Sequence, residues 1–504
     1  MEHVFVALPE GRKRVTLVDA AGKAVRQVLW GDWLWLDDGR PDDDPDWRHV
    51  VWSPNDPVKR QYLRVRREHT TDERPLEIVF VDVGQGDGAV LITPERDHRE
   101  RVMVIDAGKG PEMNEFLTER FGGYRDGLRF HAAVITHADE DHYRGFQPIF
   151  GDGRIGFANC YHSGLVEWPT GAGFDGAGGL VEDEVTGVAY LQALATHDAA
   201  MRAIFAGAPS ARRFARTVQA AIARGSVGRF AMLSTAHGQA EDGRSWMPGF
   251  APSDGRGYTL EVLGPVAEFG PRGARLRRLG DYGVTKNGHS VILRLTFNSF
   301  RVLFGGDLNR PAEQHLLKHH AGLERWPRTP AERAAMLAAA GPRLRSEVMK
   351  VCHHGSADVT DEFLAAVDPA AFVISSGDEE GHVHPRPDLL GRLGKLGRGA
   401  SPVLLSTELQ RSTRAREDAA LTARLRRDIA AQVKAADPAR AERIEEAIRT
   451  LGRANVSVDG AIYLKTDGER LITAFKKETG SATDKWFYFE YGVRAGELVL
   501  EGGG

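Results

Sequence analysis

Four apolar segments between residues 76 and 142 run into polar or turn-forming residues, and this pattern most constrains the fold. In chain order they read LEIVFVDVGQGD, AVLITP, RVMVIDAG and FHAAVITHADEDH. Runs of this length and composition predict buried strands, and residues 112–121 between the third and the fourth predict a helix. Polar residues at the ends of buried strands are where the sites of α/β proteins are assembled. The pattern therefore predicts an α+β domain with a site at one edge of a sheet.

The fourth segment leads directly into the densest group of potential metal ligands in the chain. After Thr136 the sequence HADEDH has the form H-x-D-x-D-H and contains His137, Asp139, Asp141 and His142. A turn after a strand can direct such side chains inward, and imidazole and carboxylate groups are ligands for zinc or manganese. The alternative is a charged turn that caps the following helix. Four potential ligands within six residues favour the metal site.

This turn resembles the signature of the metallo-β-lactamase-fold hydrolases, and the remaining motifs resemble the branch typified by the soluble domain of competence (ComEC-like) proteins. The resemblance extends over residues 76–475 and implies a four-layer αββα sandwich with its site at one edge between two sheets. The motifs that carry it are D-V-G-Q-G-D at 82–87, I-D-A-G at 105–108, N-G-H-S-V-I-L at 287–293, F-G-G-D at 304–307, K-V-C-H-H-G-S at 350–356, S-S-G at 375–377, H-P at 384–385 and a closing hairpin at 459–468.

The resemblance implies two divalent metal ions, Zn²⁺ or Mn²⁺, and an oxygen-rich first site also admits Mg²⁺. Of the histidine pair at 353 and 354, His353 is favoured as a ligand. In the strand that usually supplies a third histidine, either His289 is a ligand, or Asn287 is the nearest contact, or His289 is only a core or surface histidine. The other implied ligands are His137 and Asp139 for the first ion, Asp141 and His142 for the second, Asp307 as the bridge, and His353 or His354 to complete the second site.

The same resemblance implies catalytic and substrate-binding roles. Asp141 belongs to the catalytic centre, His384 is expected to contact phosphate or act as the general acid, and Lys350 is expected to bind phosphate. Asp87 lies in the glycine-rich opening loop, which either offers backbone amides to phosphate oxygens or forms only a tight turn. Residues expected to orient ligands or contact the substrate are Asp82, Asp106, Asn287, Ser356 and Ser376.

The chain divides into a small N-terminal domain and one large domain. Residues 1–72 predict six short strands separated by turns, which indicates a small β-barrel or an extra sheet and weakly resembles SH3-like barrels. Residues 75–495 form the large domain. Its helical insertions are predicted at about 165–250, 310–345 and 411–451, the last with a break near residues 437–438.

Composition excludes several classes of protein. The 66 Lys and Arg residues against 70 Asp and Glu exclude a generally basic nucleic-acid coat, so that any nucleic-acid contact must be local. Cys160 and Cys352 are too few for a disulfide framework or a Cys-rich zinc module, and they suit a reducing compartment. Neither a signal-peptide-like start nor a run of eighteen apolar residues is present, which predicts a cytoplasmic protein without a membrane partner.

These observations predict a metal-dependent phosphodiesterase or nuclease that acts on DNA or RNA. Basic residues at 272–278, 343–350 and 411–427 can engage phosphates, although balanced solvation of helix faces explains them equally well. The alternative enzyme is an ester, thioester or lactone hydrolase, because the implied fold supports all of these. An alternative of another class is a catalytically silent scaffold or sensor. The N-terminal β domain or the helical insertions are predicted to bind a protein partner.

Overall fold

The structure is a computed structural model. It describes residues 2–8, 14–40, 44–53, 58–96, 99–121, 129–152, 154–207, 209–377, 384–399, 401–407, 419–452, 460–477, 481–494 and 497–503.

Residues 3–71 form a seven-stranded sheet of short strands in the order β3-β2-β6-β5-β4-β1-β7. Alternate side chains, among them Val4, Val6, Leu34 and Leu63, meet in a core of their own. The six strands expected from the sequence correspond to β1–β6. The strands are β1 (His3–Val6), β2 (Val15–Val18), β3 (Ala24–Val28), β4 (Trp33–Leu36), β5 (Trp47–Trp52), β6 (Gln61–Arg66) and β7 (Thr70–Thr71).

The next part of the chain alternates strands and helices. The elements are β8 (Leu76–Phe80), β9 (Gly88–Ile92), β10 (Val102–Ala107), α1 (Glu112–Phe121), β11 (Arg129–Ile135), α2 (Glu140–Tyr143), α3 (Phe146–Gly151), β12 (Gly156–His162), β13 (Leu180–Glu182), β14 (Ala189–Leu191), α4 (Asp198–Phe205), α5 (Arg213–Arg224) and β15 (Val227–Met232).

A second series of strands and helices completes the chain. The elements are β16 (Gln239–Glu241), β17 (Arg244–Trp246), β18 (Tyr258–Gly264), β19 (Glu268–Gly270), β20 (Gly273–Arg277), α6 (Tyr282–Gly288), β21 (Ile292–Phe297), β22 (Phe300–Phe304), α7 (Arg310–Ala321), α8 (Pro330–Leu344), β23 (Val348–Lys350), α9 (Asp361–Val367), β24 (Ala371–Ile374), α10 (Pro387–Leu396), β25 (Val403–Ser406), α11 (Ala419–Lys434), α12 (Pro438–Gly452), β26 (Ile462–Thr466), β27 (Arg470–Lys476), β28 (Trp486–Arg494) and β29 (Glu497–Gly503).

Two large sheets account for most of these strands. The ten-stranded sheet has the order β15-β12-β11-β10-β9-β8-β26-β27-β28-β29, and the eight-stranded sheet has the order β16-β17-β18-β21-β22-β23-β24-β25. Strands β13, β14, β20 and β19 form a separate four-stranded sheet. The fold is therefore of the α+β class, as the sequence predicts.

The side chains of the large sheets alternate between two cores. From β8, Ile78 and Phe80 join Leu260 and Val302 of the eight-stranded sheet in a core between the sheets. Their neighbour Val79 instead joins a core that includes residues of α1, α3, α4 and α5. A third core joins the other face of the eight-stranded sheet to α7–α10. The two-residue period of a strand thus buries both faces of each sheet, one against the other sheet and one against helices.

The structure contains helices at each of the three insertions expected from the sequence, but not over their whole length. Helices α7 and α8 fall within residues 310–345, and α8 begins with a capping box between Thr329 and Glu332. Within 165–250 the chain forms α4 and α5 but also several short strands. Helices α11 and α12 are separated before Pro438, and residues 411–418 of that expected insertion lie outside the described residues. Within the described ranges, every helix is too short or too polar to cross a membrane.

Candidate metal centre

The residues of the candidate centre stand where parallel strands end. Strands β10 and β11 are parallel, as are β22 and β23. Asp106 is the penultimate residue of strand β10, and the H-x-D-x-D-H turn follows β11. Asp307 follows β22, and His354 follows β23. Because parallel strands bring their carboxyl ends to the same edge, these side chains meet between the two sheets.

Two buried imidazoles face each other at the middle of the centre. The Nε2 atoms of His142 and His354 are 3.3 Å apart. Each also lies 3.3 Å from one carboxylate oxygen of Asp307, Oδ1 for His142 and Oδ2 for His354. Asp141 Oδ2 is 3.3 Å from His354 Nε2 and accepts a hydrogen bond from Gln85 Nε2 (3.4 Å). Four potential ligand side chains therefore surround one point.

The opposite ring nitrogens are held by other groups. His142 Nδ1 donates to Asp106 Oδ2 (2.8 Å), and Asp106 also accepts from Thr136 N (2.8 Å) and Thr136 Oγ1 (2.7 Å). His354 Nδ1 donates to the carbonyl of Ser375 (3.1 Å) and lies 3.1 Å from Asp87 Oδ1. A proton on Nδ1 leaves the Nε2 lone pair available, which is the arrangement of histidines that bind metal ions.

The donor set fits a divalent metal ion. Asp87, His142, Asp307 and His354 each offer a ligand atom within 4.8 Å of the others, and all four are buried. The Asp87 carboxylate, however, faces the Nδ1 edge of His354 and forms an ion pair with Lys350. We therefore take Asp141 as the fourth ligand and Asp87 as the residue that orients His354.

The carboxylates and imidazoles of the centre shift one another's pKa values. Burial lowers the pKa of both His142 and His354, but the carboxylate of Asp307, together with Asp106 at His142 and Asp87 at His354, outweighs it and holds both values well above the usual range. Burial alone would raise the pKa of Asp307, yet the two imidazoles hold it well below its usual value. A divalent cation at this point would be stabilised by the same carboxylates.

Lys350 lies beneath the centre rather than on its open side. It is 3% exposed, donates to the carbonyl of Gly306 (3.2 Å) and pairs with Asp87. Asp87 counteracts the effect of burial, so that the pKa of Lys350 is raised. The structure thus places Lys350 where it supports Asp87, whereas the sequence predicts a phosphate contact.

The first half of the H-x-D-x-D-H turn has different surroundings. His137 is buried, with Nδ1 3.2 Å from both Thr136 Oγ1 and Ser290 Oγ. Burial, followed by His142, holds its pKa well below the usual value, and the ammonium of Lys286 acts in the same direction. Asp139 caps α2, as the alternative interpretation of the turn expects, and its Oδ1 lies 3.3 Å from Lys286 Nζ.

His289 is directed away from these residues. Its Nε2 donates to the carbonyl of Arg277 (2.7 Å), which engages one of the two ring nitrogens that could bind a metal ion. Burial lowers the pKa of His289 to about 4, which keeps the ring neutral. Residue 287 lies in helix α6 rather than in the expected strand, and Asn287 lines the open cleft, whereas His289 is buried as in the alternative of a core histidine.

The open side of the centre is a polar cleft of about 670 Å³. Ala138 is the single apolar residue among those that the structure describes in its lining. The polar lining residues are Gln85, Lys109, Asp139, Glu140, Asp141, Glu167, Lys286, Asn287, Asp307, His353, His354, Ser356 and His384. Ser376 and Asp82 lie below the surface, where Ser376 Oγ donates to the carbonyl of His384 (3.3 Å) and Asp82 Oδ1 accepts from Gly84 N (3.2 Å).

The two histidines of the pair both have a left-handed backbone, and only one of them is buried at the centre. His353 and His354 have φ angles of 49° and 53°, and Asp106 has a φ of 54°, a region that non-glycine residues rarely adopt. His354 is 1% exposed at the centre, whereas the side chain of His353 is 31% exposed, with Nε2 3.8 Å from Asp307 Oδ2. The structure therefore favours His354 where the sequence favours His353. At Gly86 (φ 123°), a Cβ atom would lie 2.0 Å from the carbonyl of Asp141, so only glycine fits.

Three residues of the cleft were not singled out by the sequence. They are Lys109, Lys286 and Glu167; all three line the cleft, and the ammonium of Lys286 lies beside Asp139. Lys286 immediately precedes the N-G-H-S motif, and this neighbouring position is the sequence signal that could have identified it as a cleft residue. Glu167 comes from the 165–250 insertion and nothing in its local sequence marks it.

No protein-family model matches this chain, and no curated protein matches its sequence.

Proposed function

We propose that this chain is a divalent-metal-dependent hydrolase whose metal ion is held by Asp141, His142, Asp307 and His354. The observation that carries the proposal is the 3.3 Å approach of the two Nε2 atoms of His142 and His354 between two carboxylates. When bound, a divalent ion supplies Lewis-acid charge and lowers the pKa of water. Asp106 and Asp87 hold the two imidazole rings in the required tautomer.

The proposed substrate is a phosphodiester, with nucleic acid as the class. All but one of the described residues that line the cleft have polar or charged side chains, which suits a charged backbone better than an apolar acyl chain or lactone. Lys109 and Lys286 supply positive charge at the cleft wall. Asn287 and Ser356 offer further hydrogen-bonding groups to phosphate oxygens.

His384 is the proposed proton donor to the leaving oxygen. It lines the cleft, and its ring centroid is 5.9 Å from that of His353. Imidazole is the side chain that most often acts as a general acid, and from the cleft it could donate a proton to a leaving alkoxide. Gln85 orients the Asp141 carboxylate through its hydrogen bond.

The proposed family is that of the metallo-β-lactamase-fold hydrolases, in the ComEC-like branch. The order helices, sheet, sheet, helices and the position of the centre between the sheets support it.

The proposed compartment is the cytoplasm. Both cysteines, Cys160 and Cys352, are buried free thiols, which supports a reducing compartment.

A substrate panel with defined metals tests the proposal. The full chain is stripped with a chelator and reloaded with Mn²⁺, Zn²⁺ or Mg²⁺. It is then assayed on bis-p-nitrophenyl phosphate, single- and double-stranded DNA, RNA, p-nitrophenyl acetate, a thioester and a lactone. We expect metal-dependent cleavage of phosphodiesters, and loss of both cleavage and tightly bound metal in His354→Ala.

The matched control is His319→Ala, which removes an exposed histidine of α7 and should change neither property. Cleavage of the ester, thioester or lactone without phosphodiester cleavage would move the proposal to the alternative substrate class. No cleavage with any metal would refute it and favour a scaffold or sensor, whereas full activity in His354→Ala would refute the proposed ligand set.

A further inference from the structure

Lys286 places a positive charge on the side of the centre where the first metal ion is expected. Its Nζ lies 3.3 Å from Asp139 Oδ1 and 3.4 Å from Glu167 Oε1. The residue is 9% exposed and lines the cleft. The carboxylate that would bind a first metal ion therefore already has a cationic partner from the protein.

The surroundings of Lys286 hold it in this position. It lies in α6, which Asp281 caps by accepting from Val284 N (2.8 Å). Its Nζ is 5.5 Å from the centre of the Tyr282 ring. Glu167, from a different segment, provides the second carboxylate. A lysine with two carboxylates and an aromatic ring around its ammonium is fixed, unlike a solvated surface lysine.

Other ligand types for a first ion are nevertheless present. His137 is 1% exposed, and its Nε2 atom has no hydrogen-bond partner among the described residues. Asp307 Oδ1 is likewise without a hydrogen bond within that part of the chain. The charge on Lys286, rather than a lack of ligand atoms, thus distinguishes this side of the centre from the side with His354.

We propose that Lys286 is a resident cation that takes the place of the first metal ion, so that the centre tightly binds one divalent ion at Asp141, His142, Asp307 and His354. The inference rests on the proposed metal dependence and deepens it. A second ion would have to approach the ammonium of this largely buried lysine closely, and like charges repel there. We expect the second ion to bind at least about 100-fold more weakly than the first, because this repulsion acts on it alone.

Metal counting on the full chain tests the inference without an activity readout. Wild type, Lys286→Ala, Lys286→Arg and Lys109→Ala are titrated with Mn²⁺ alone. Bound metal is counted by mass spectrometry, and electron paramagnetic resonance separates isolated Mn²⁺ from spin-coupled pairs. We expect one ion per chain in wild type, in Lys286→Arg, which keeps the charge, and in Lys109→Ala, which removes a neighbouring charge of the cleft. Lys286→Ala should bind a second ion and show a coupled signal.

Two tightly bound ions in wild type would overturn the inference, as would a single ion in a folded Lys286→Ala. Thermal unfolding verifies that each variant is folded. Parallel hydrolysis assays separate the two proposals. One bound ion without cleavage of any substrate in the panel refutes the function and leaves the inference standing. Cleavage by a wild type with two bound ions supports the function and overturns the inference. A wild type that binds no ion refutes both.

Discussion

The two halves of the H-x-D-x-D-H turn have the same ligand types but different surroundings. Asp141 and His142 face Asp307 and His354, which bring further ligand atoms to one point. Asp139, in the other half, faces Lys286, which brings a positive charge. The difference arises outside the turn, because the loops after β22 and β23 face one half and α6 faces the other.

This comparison teaches that a ligand motif specifies chemistry only together with the element packed against it. A carboxylate can bind a metal ion or an ammonium group, and the neighbouring element decides which. The same distinction separates His354 from His289. The former directs Nε2 to the centre, and the latter uses Nε2 to hold a backbone carbonyl.

The largest difference in metal affinity is expected between two single variants, each of which removes the histidine from one half of the turn. His142→Ala deletes a proposed ligand and should weaken Mn²⁺ binding by more than about 100-fold. This exceeds the loss of affinity that follows when only the hydrogen-bond partner of a histidine ligand is removed. His137→Ala should retain one bound ion, because His137 lies on the Lys286 side. Competition with a fluorescent chelator measures both affinities.

Both variants need a structural check, since His142 and His137 are buried. Circular dichroism and thermal unfolding provide it, and His319→Ala again serves as the exposed-histidine control. Equal loss of Mn²⁺ from the two variants would break the comparison and indicate that the halves act as one site.

A smaller effect is expected from Asp106→Asn. The amide keeps the size of the side chain but cannot accept from His142 Nδ1 and both Thr136 donors as a carboxylate does. Mn²⁺ affinity should fall by about 10- to 100-fold, as is typical when the orienting partner of a histidine ligand is changed. The same chelator competition measures it, and an unchanged affinity would show that Asp106 serves only the fold.

Much of the centre was predictable because its determinants are local. A buried strand that ends in polar residues sends them to a sheet edge whatever the rest of the fold does. His142 and Asp307 follow β11 and β22 in this way, and the structure brings them together. The α+β class follows from the same alternation of apolar runs and helical periodicity.

The remainder depends on contacts between distant segments. Choosing His354 over His353 requires the left-handed backbone of their turn, which the sequence H-H-G does not specify. The partners of Lys286 come from the α2 cap and from residue 167 of an insertion. The orientation of His289 depends on Arg277 at the end of β20, a strand of the separate small sheet. No pattern within one segment contains this information.

The variant His289→Gln tests the contrast between His354, a proposed ligand, and His289, a structural histidine. The test is the pH dependence of the free energy of unfolding. Burial lowers the pKa of His289 to about 4 in the folded chain, against 6.5 as its ordinary value. Below pH 6.5 the unfolded chain therefore binds the proton first. The contribution of His289 to the free energy of unfolding is therefore fully present above pH 6.5. It decreases as the pH falls and levels off below about pH 4.

Gln can donate to the same carbonyl without titrating. Relative to pH 8, wild type should lose about 2 kcal/mol more unfolding free energy at pH 5 than the variant. Urea unfolding with chelator present measures this, so that metal binding does not contribute. Parallel pH profiles for the two proteins would show that His289 is protonated in the fold and is not a neutral donor to Arg277.

The smallest effect is expected from Asp139→Asn. Asn caps a helix as well as Asp does, so α2 should keep its start. Lys286 keeps Glu167 at 3.4 Å as a counter-charge and does not become a buried unpaired cation. If Asp139 is a partner of Lys286 and not a ligand, the affinity for the first Mn²⁺ should stay within about threefold of wild type, less than the loss of an orienting contact causes. Because Asp139 and Asp141 are identical side chains two positions apart in the same turn, Asp141→Asn is the matched comparison and should weaken the same affinity severely. Equal losses in the two variants would assign both carboxylates to metal binding, whereas unequal losses would show that the element facing each one determines its role.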